Sequence, residues 1–248
     1  MELTQFEIKT VHNQIVKGEY EGNTNSEKVI IFSHGFGVTR SSHGMFNEIG
    51  DALKNEYLIV RFDYAEVNQS ENFTRVGSLT SQAEKLSSVI AYINQLIKVK
   101  QLNFIAHSMG CVILGMVNPP SINKCILLAG PSTSPYLRLK DYFSKRPETV
   151  IDESSESTIK RSDGSTTYVE KEFWHEVHNI NPSRLYHQLA DNSDVSFIQA
   201  LNDQVLTNES YESIMKIPKI KFSTLNANHD FEFEARTALV NVIKNILW

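Results

Sequence analysis

The chain has 248 residues, 41% of them hydrophobic, enough for one substantial core or for a core with an insertion. Its formal net charge of −5 comes without a long basic run, which argues against nucleic acid or an anionic membrane surface as the main partner. Its two cysteines, Cys111 and Cys125, both in apolar surroundings, read as buried small hydrophobes and not as a disulfide framework or a zinc site.

In chain order, residues 2–20 alternate loosely, as in Phe6-Glu7-Ile8-Lys9-Thr10-Val11, and predict an antiparallel hairpin. A polar turn, Gly22-Asn23-Thr24-Asn25-Ser26, leads to the continuous apolar run 29–33. Such a run is expected of a strand buried on both faces, and it ends in the glycine-rich loop His34-Gly35-Phe36-Gly37. Residues 45–54 place Phe46, Ile49 and Leu53 on one helical face. Residues 57–63 form the next strand, and 64–77 read as a polar loop. Leu86, Val89, Ile90 and Ile93 give 79–97 a helical period. The strand 102–105 runs into Ser108, a helix follows to about Val117, Asn118-Pro119-Pro120 stops it, and 124–130 is another buried strand.

The pattern breaks between 131 and 190, where Tyr136, Tyr142, Phe143, Phe173 and Trp174 stand among many charges. Residues 158–169 there read as a hairpin turning at Asp163-Gly164. This segment is expected to be an insertion, a cap or lid folded over the strand ends, between core segments 1–130 and 191–248. Strands resume at 195–200 and 220–225, and 238–248 forms a closing helix. The alternation predicts an α/β fold with a mostly parallel sheet and helices on both faces. Sites in such sheets lie at the carboxyl ends of the strands, where His34, Asp63, Ser108 and Gly130 fall.

Ala106-His107-Ser108-Met109-Gly110 joins a strand-like run to a helix-like one. A serine on so sharp a turn is held with its hydroxyl exposed, and the small residues two before and two after it let the chain turn. Serine is a weak nucleophile near neutral pH and needs a base within hydrogen-bond reach and a group to orient that base. With His34-Gly35-Phe36 after an early strand, and with the chain order serine, acid, histidine, the sequence resembles the α/β-hydrolase-fold serine hydrolases along nearly its whole length. Ala106 and Ala200 stand where the family usually has glycines, and Ala65 and Val67 replace glycines that many relatives have after the aspartate at Asp63.

The resemblance implies Ser108 as nucleophile, Asp203 as acid and His229 as base, with the backbone N–H groups of Phe36 and Met109 as the oxyanion hole. Asp191 and Asp194 are rivals of Asp203 but fall at the wrong end of their strand. His34 reads as an anchor of the oxyanion loop and His107 as packed into the elbow. These two, with Tyr136, Phe143, Phe173 and Trp174, are the candidate substrate-binding residues. The aromatics of the insertion could equally form a small core of their own. No metal or organic cofactor is expected, because no ligand cluster suggests one.

The layout is similar to that of small bacterial carboxylesterases with a hairpin-bearing cap, including those that cleave hydroxycinnamoyl esters. The resemblance implies a carboxylesterase acting on small or medium acyl esters through an acyl-enzyme intermediate. A thioesterase, a peptidase or another acyl hydrolase would use the same groups, and a silent binding protein would keep the fold without turnover. No apolar run approaches the roughly 18 residues of a membrane span. The first residues lack the pattern of a signal peptide, so the expected location is cytoplasmic. Whether the chain works alone or as a homodimer stays open.

Overall fold

A computed structural model describes residues 3–248; Met1 and Glu2, which begin the expected hairpin and core, lie outside the described residues. The elements in chain order are β1 (Thr4–Lys9), β2 (Ile15–Gly22), β3 (Lys28–Ser33), α1 (Met45–Leu53), β4 (Leu58–Phe62), β5 (Glu66–Asn68) and β6 (Phe73–Val76). There follow α2 (Leu79–Leu96), β7 (Gln101–His107), α3 (Met109–Val117), β8 (Ile122–Leu128), α4 (Tyr136–Ser144), β9 (Ser157–Lys160) and β10 (Thr166–Val169). The chain closes with α5 (Lys171–Asn179), α6 (Pro182–Asn192), β11 (Asp194–Ala200), α7 (Glu212–Met215), β12 (Ile220–Leu225) and α8 (Glu234–Leu247).

Eight strands form one sheet in the order β1-β2-β4-β3-β7-β8-β11-β12. Pairing is antiparallel from β1 to β2 and from β2 to β4, and parallel at every step from β4 to β12. The apolar runs of β3, β4, β7 and β8 are explained by burial on both faces. Alternate residues of β3 divide between two cores, Val29 and Ile31 on one side and Ile30 and Phe32 on the other. The first core is completed by Leu86, Val89 and Ile93 of α2, by α3, and by Tyr186 and Leu189 of α6. The second is completed by Phe46, Ile49 and Leu53 of α1 and by Leu239, Ile243 and Leu247 of α8. The expected fold class is what the chain adopts, and Cys111 and Cys125 are both buried and free, as their surroundings predict.

Residues 64–77 are not a loop. They form the β5–β6 hairpin, and β6 pairs in parallel with β10, giving a second sheet in the order β5-β6-β10-β9. The partner that makes this short segment a strand lies some ninety residues away, in the predicted 158–169 hairpin, where β9 and β10 pair antiparallel around Asp163-Gly164. The segment 131–190 is thus tied to the rest through β10. Its last helix, α6, instead packs on the main sheet: Leu185 lies against Gly115 of α3, and the Tyr186 ring is 5.8 Å from Phe197 of β11. Residues Phe143, Ile159, Val169, Phe173 and Trp174 of the segment join the same buried cluster as β3 and α2. Among the described residues, no helix is long and apolar enough to cross a membrane.

Candidate active site

β7 ends at His107 and α3 begins at Met109, so Ser108 alone makes the turn from strand to helix. It does so at φ 54° and ψ −123°, a conformation that side-chain-bearing residues rarely adopt and that persists only when the surroundings enforce it. Here they do. The Ser108 N–H donates to the Leu128 carbonyl at 2.9 Å. A Cβ at Gly110 would lie 2.1 Å from the Ser33 carbonyl oxygen and 2.6 Å from that of His34, so only glycine lets α3 start this close to the end of β3. Ser33 Oγ then donates to the Gly110 carbonyl at 2.8 Å.

The other two members arrive on the loops after β11 and β12. These loops are stitched together: Leu201 N–H donates to the Leu225 carbonyl and Asn202 N–H to that of Ala227, each at 2.9 Å. The result is a chain of short contacts. His229 Nε2 lies 2.9 Å from Ser108 Oγ, and His229 Nδ1 lies 2.6 Å from Asp203 Oδ2. The second Asp203 oxygen accepts the N–H groups of Val205 at 2.8 Å and Leu206 at 2.7 Å. Burial alone would raise the Asp203 pKa. The hydrogen bond and charge of His229, with the Leu206 and Val205 N–H groups, outweigh it and hold the carboxyl below its ordinary value. An ionised Asp203 can only accept, so Nδ1 carries the imidazole proton and the lone pair of Nε2 faces the serine hydroxyl.

His107 and His34 brace this arrangement from behind. His107 Nε2 donates to the His229 carbonyl at 2.9 Å, which fixes the backbone of His229. Burial and the neighbouring His229 pull His107 down to about 4, so it is neutral at neutral pH. His34 Nε2 accepts the Tyr64 N–H at 2.9 Å and its Nδ1 donates to the Gly35 carbonyl at the same distance. His34 thereby links the loop after β3 to the end of β4, and burial lowers its pKa too. Gly35 sits directly against Ser108, with the position of a Cβ 3.1 Å from Ser108 Cβ. The next residue is Phe36. Among the described residues, neither the Phe36 N–H nor the Met109 N–H, the first of α3, meets a protein acceptor.

Ser108 and His229 open into a cleft of about 540 Å³. Of the expected substrate-binding residues, Phe143 and His107 line it. His34 lies beneath it, and Tyr136, Phe173 and Trp174 are not among its walls. Phe173 and Trp174 are fully buried: Phe173 packs on the Phe36 ring at 4.9 Å, and Trp174 Nε1 donates to Ser157 Oγ at 2.9 Å. Tyr136 stacks on His178 at 4.5 Å and gives its hydroxyl to Glu153. Phe173 and Trp174 are therefore packing residues behind the cleft wall, with Phe173 backing the Phe36 ring, and Tyr136 is a half-buried residue held by His178 and Glu153. The sequence reading missed the β5–β6 hairpin, which lines the cleft with Val67, Asn68 and Phe73. It also missed Arg146 and Arg161, and Gln204, whose side-chain oxygen accepts the His229 N–H at 3.1 Å. Only the replacement of glycines by Ala65 and Val67 signalled that this side of the site would differ.

Residues 11–125 match a family described as alpha/beta hydrolases of unknown function (DUF900). No curated protein sequence matches the chain significantly. Solved structures resemble it over its whole length. The esterase domain of a Rhodothermus marinus protein superposes with a TM-score of 0.70 at 15% identity, covering 99% of this chain and 97% of that one. Est1E from Butyrivibrio proteoclasticus gives 0.69 at 15% identity, covering 98% and 97%, and another structure of that protein holds ferulic acid. A Pyrococcus furiosus esterase gives 0.72 at 16% identity, covering 100% and 92%. At this identity the likeness speaks for the fold, which is that of the α/β hydrolases.

Proposed function

On this α/β-hydrolase scaffold we propose that the chain is a serine hydrolase of small or medium acyl esters, a carboxylesterase working through an acyl-enzyme. The observation that carries the reading is the contact series Ser108–His229–Asp203, set on a strained turn at the floor of a cleft. The esterases among the structural neighbours agree with it.

His229 Nε2 takes the Ser108 proton as Oγ bonds to the acyl carbon, and the carbonyl pair moves onto oxygen. Asp203 holds the tautomer that makes this possible and stabilises the imidazolium. The oxyanion accepts from the N–H groups of Phe36 and Met109. One such donor is worth about 3 kcal/mol in the transition state. Collapse expels the alkoxide, which takes the proton from His229 and leaves as alcohol. Water then adds to the acyl-enzyme with His229 again as base, and the acid and free Ser108 are released. Every step is carried by groups of this chain. Residues 131 to about 180 serve as the cap, and Leu139, Tyr142 and Phe143 form the apolar wall against the acyl group.

The test is turnover of p-nitrophenyl esters, from acetate to long chains and including a cinnamoyl ester, by the wild type and by Ser108→Ala. Hydrolysis that Ser108→Ala abolishes establishes the serine hydrolase, and the chain-length profile sizes the pocket. Labelling of Ser108 by a fluorophosphonate without ester turnover would move the assignment to another acyl substrate. Absence of both would reject catalysis.

A further inference from the structure

Arginines that are buried or half-buried in this molecule meet carboxylates. Arg40 contacts Asp63 and Glu19, Arg61 contacts Glu19 and Glu21, Arg75 contacts Glu156, Arg138 contacts Glu209 and Arg236 contacts Glu48. Arg146 and Arg161 break the pattern. Both are half-buried, both line the cleft that contains Ser108, and among the described residues neither lies within ion-pair distance of a carboxylate. The two guanidinium groups flank a single ring, each 5.0 Å from the centre of Phe143.

Their hydrogen bonds go only to neutral oxygens. Arg146 donates to the Lys160 carbonyl at 3.3 Å and the Tyr142 hydroxyl at 3.2 Å. Arg161 donates from Nε to Thr167 Oγ1 at 2.8 Å and from Nη2 to the Phe36 and Gly37 carbonyls at 3.3 and 3.1 Å. Five N–H groups are available on each arginine, so donors remain unused on both. Burial and the like charge of Arg146 pull Arg161 down to about 10, which leaves it charged at neutral pH. Asp163 attracts Arg161 only from beyond ion-pair distance, and two half-buried cations beside one ring without a directly paired carboxylate gain when an anion joins them.

Among the described residues, no acidic group of the cleft pairs directly with either arginine. Asp163 closes the β9–β10 turn by accepting the Ser165 N–H at 2.9 Å and its hydroxyl at 2.7 Å. Glu232 accepts from Asn228 beside the His229 loop, next to Asp230, so the cleft is acidic at that end and basic at the other. Arg161 also donates to the Phe36 carbonyl, in the loop that packs on Ser108.

We infer that Arg146 and Arg161 form a carboxylate-binding subsite, and that the preferred substrate is an ester whose acyl portion carries a second, anionic carboxylate. The substrate class rests on the proposed hydrolase activity; the subsite itself does not.

Two measurements keep them apart. Calorimetric titration compares 4-phenylbutyrate with its neutral isostere 4-phenylbutyramide. The wild type should bind the anion about tenfold more tightly, the gain of one new charge-assisted pair. Arg146→Gln should close the gap, Arg146→Lys should keep part of it, and added salt should narrow it. Arg146 is the better site to vary, because Arg161 also holds the oxyanion loop. Equal affinities, no binding of the anion, or a gap that survives Arg146→Gln would overturn the subsite. In parallel, kcat/KM for the p-nitrophenyl monoester of adipic acid is compared with that for p-nitrophenyl hexanoate. The ratio should favour the anionic ester in the wild type and fall to about one in Arg146→Gln. A charge preference in binding with neither ester hydrolysed would uphold the subsite and reject the esterase.

Discussion

Asp203→Asn separates the role of charge and tautomer from that of shape. In the wild type one carboxylate oxygen accepts two backbone N–H groups, of Val205 and Leu206, and the other faces His229 Nδ1 at 2.6 Å. Asparagine is nearly isosteric but has one oxygen. The two N–H donors decide its orientation, because turning the amide nitrogen toward them would set donors against donors. The oxygen therefore stays with Val205 and Leu206, and the NH2 group points at Nδ1. Nδ1 must then accept, and the imidazole proton moves to Nε2, 2.9 Å from Ser108 Oγ, where a lone pair is required. A wrong-tautomer imidazole costs about 10⁴-fold in kcat where it has been measured, about 5.5 kcal/mol at 1.36 kcal/mol per decade. Because both loop anchors are kept, the melting temperature should move by no more than a few degrees. The assay is single-substrate kinetics on the best p-nitrophenyl ester, with thermal unfolding as the control. A folded variant that keeps a tenth or more of wild-type kcat would refute the reasoning, and another carboxylate would have to orient His229.

Two further predictions concern the scaffold. Gly110→Ala places a methyl group against the backbone oxygens of Ser33 and His34, neither of which can swing aside. It should destabilise by about 3 kcal/mol or more, some 6–12 °C in a chain of this size, and calorimetry showing a shift under 2 °C would contradict the close approach. Stability should also fall in acid. His107 has a folded pKa of about 4, below the unfolded value of about 6.5, so between those values the unfolded chain binds the extra proton and gains on the folded one. His34 is lowered in the same sense, and Asp203 adds its loss once the pH drops through its own depressed pKa. His107 alone accounts for on the order of 3 kcal/mol lost between pH 7 and pH 4. Urea unfolding across that range would show it, and a flat profile would mean that His107 is not neutral in the folded state.

What the sequence made legible follows from what is local. Strands β3, β4, β7 and β8 announce themselves because burial on both faces demands unbroken apolar runs, and α1 and α2 because one-sided burial demands a period of 3.6. The turn at Ser108 was legible because its small neighbours are adjacent in the chain, and Asp203 and His229 because each follows a readable strand. The β5–β6 hairpin was not, since its strands of three and four residues owe their pairing to β10 in a distant segment. α5 carries its pattern in Phe173, Trp174 and Val177, but charged neighbours masked it, and the same residues look identical whether they line a pocket or fill a small core. That Arg146 and Arg161, among the described residues, have no carboxylate within ion-pair distance is a property of three-dimensional surroundings, and no local pattern encodes it.

The two kinds of legibility coincide with a division of labour. Ser108, Asp203 and His229, the proposed reacting groups, stand at or just past the ends of β7, β11 and β12, and their loops are cross-tied at several points: Leu201 to Leu225, Asn202 to Ala227, His229 to Gln204, and His107 to His229. Redundant ties of this kind are needed to hold Ser108 at a strained φ and a hydrogen-bond chain within tenths of an ångström, because a shift of 1 Å at the reacting atoms can cost a hundredfold in rate. The opposite wall of the cleft comes from the β5–β6 hairpin and the segment from α4 to β10. It reaches the oxyanion loop through few contacts, chiefly Arg161 on the Phe36 and Gly37 carbonyls and the Phe36 ring against Phe143 and Phe173. Changes on that wall can therefore alter which ester is accepted while the Ser108–His229–Asp203 geometry stays fixed, whereas changes among the cross-ties should lower the rate for every ester alike. Arg161 belongs to both halves, and its replacement should combine the two effects, which is why Arg146 is the cleaner probe of charge.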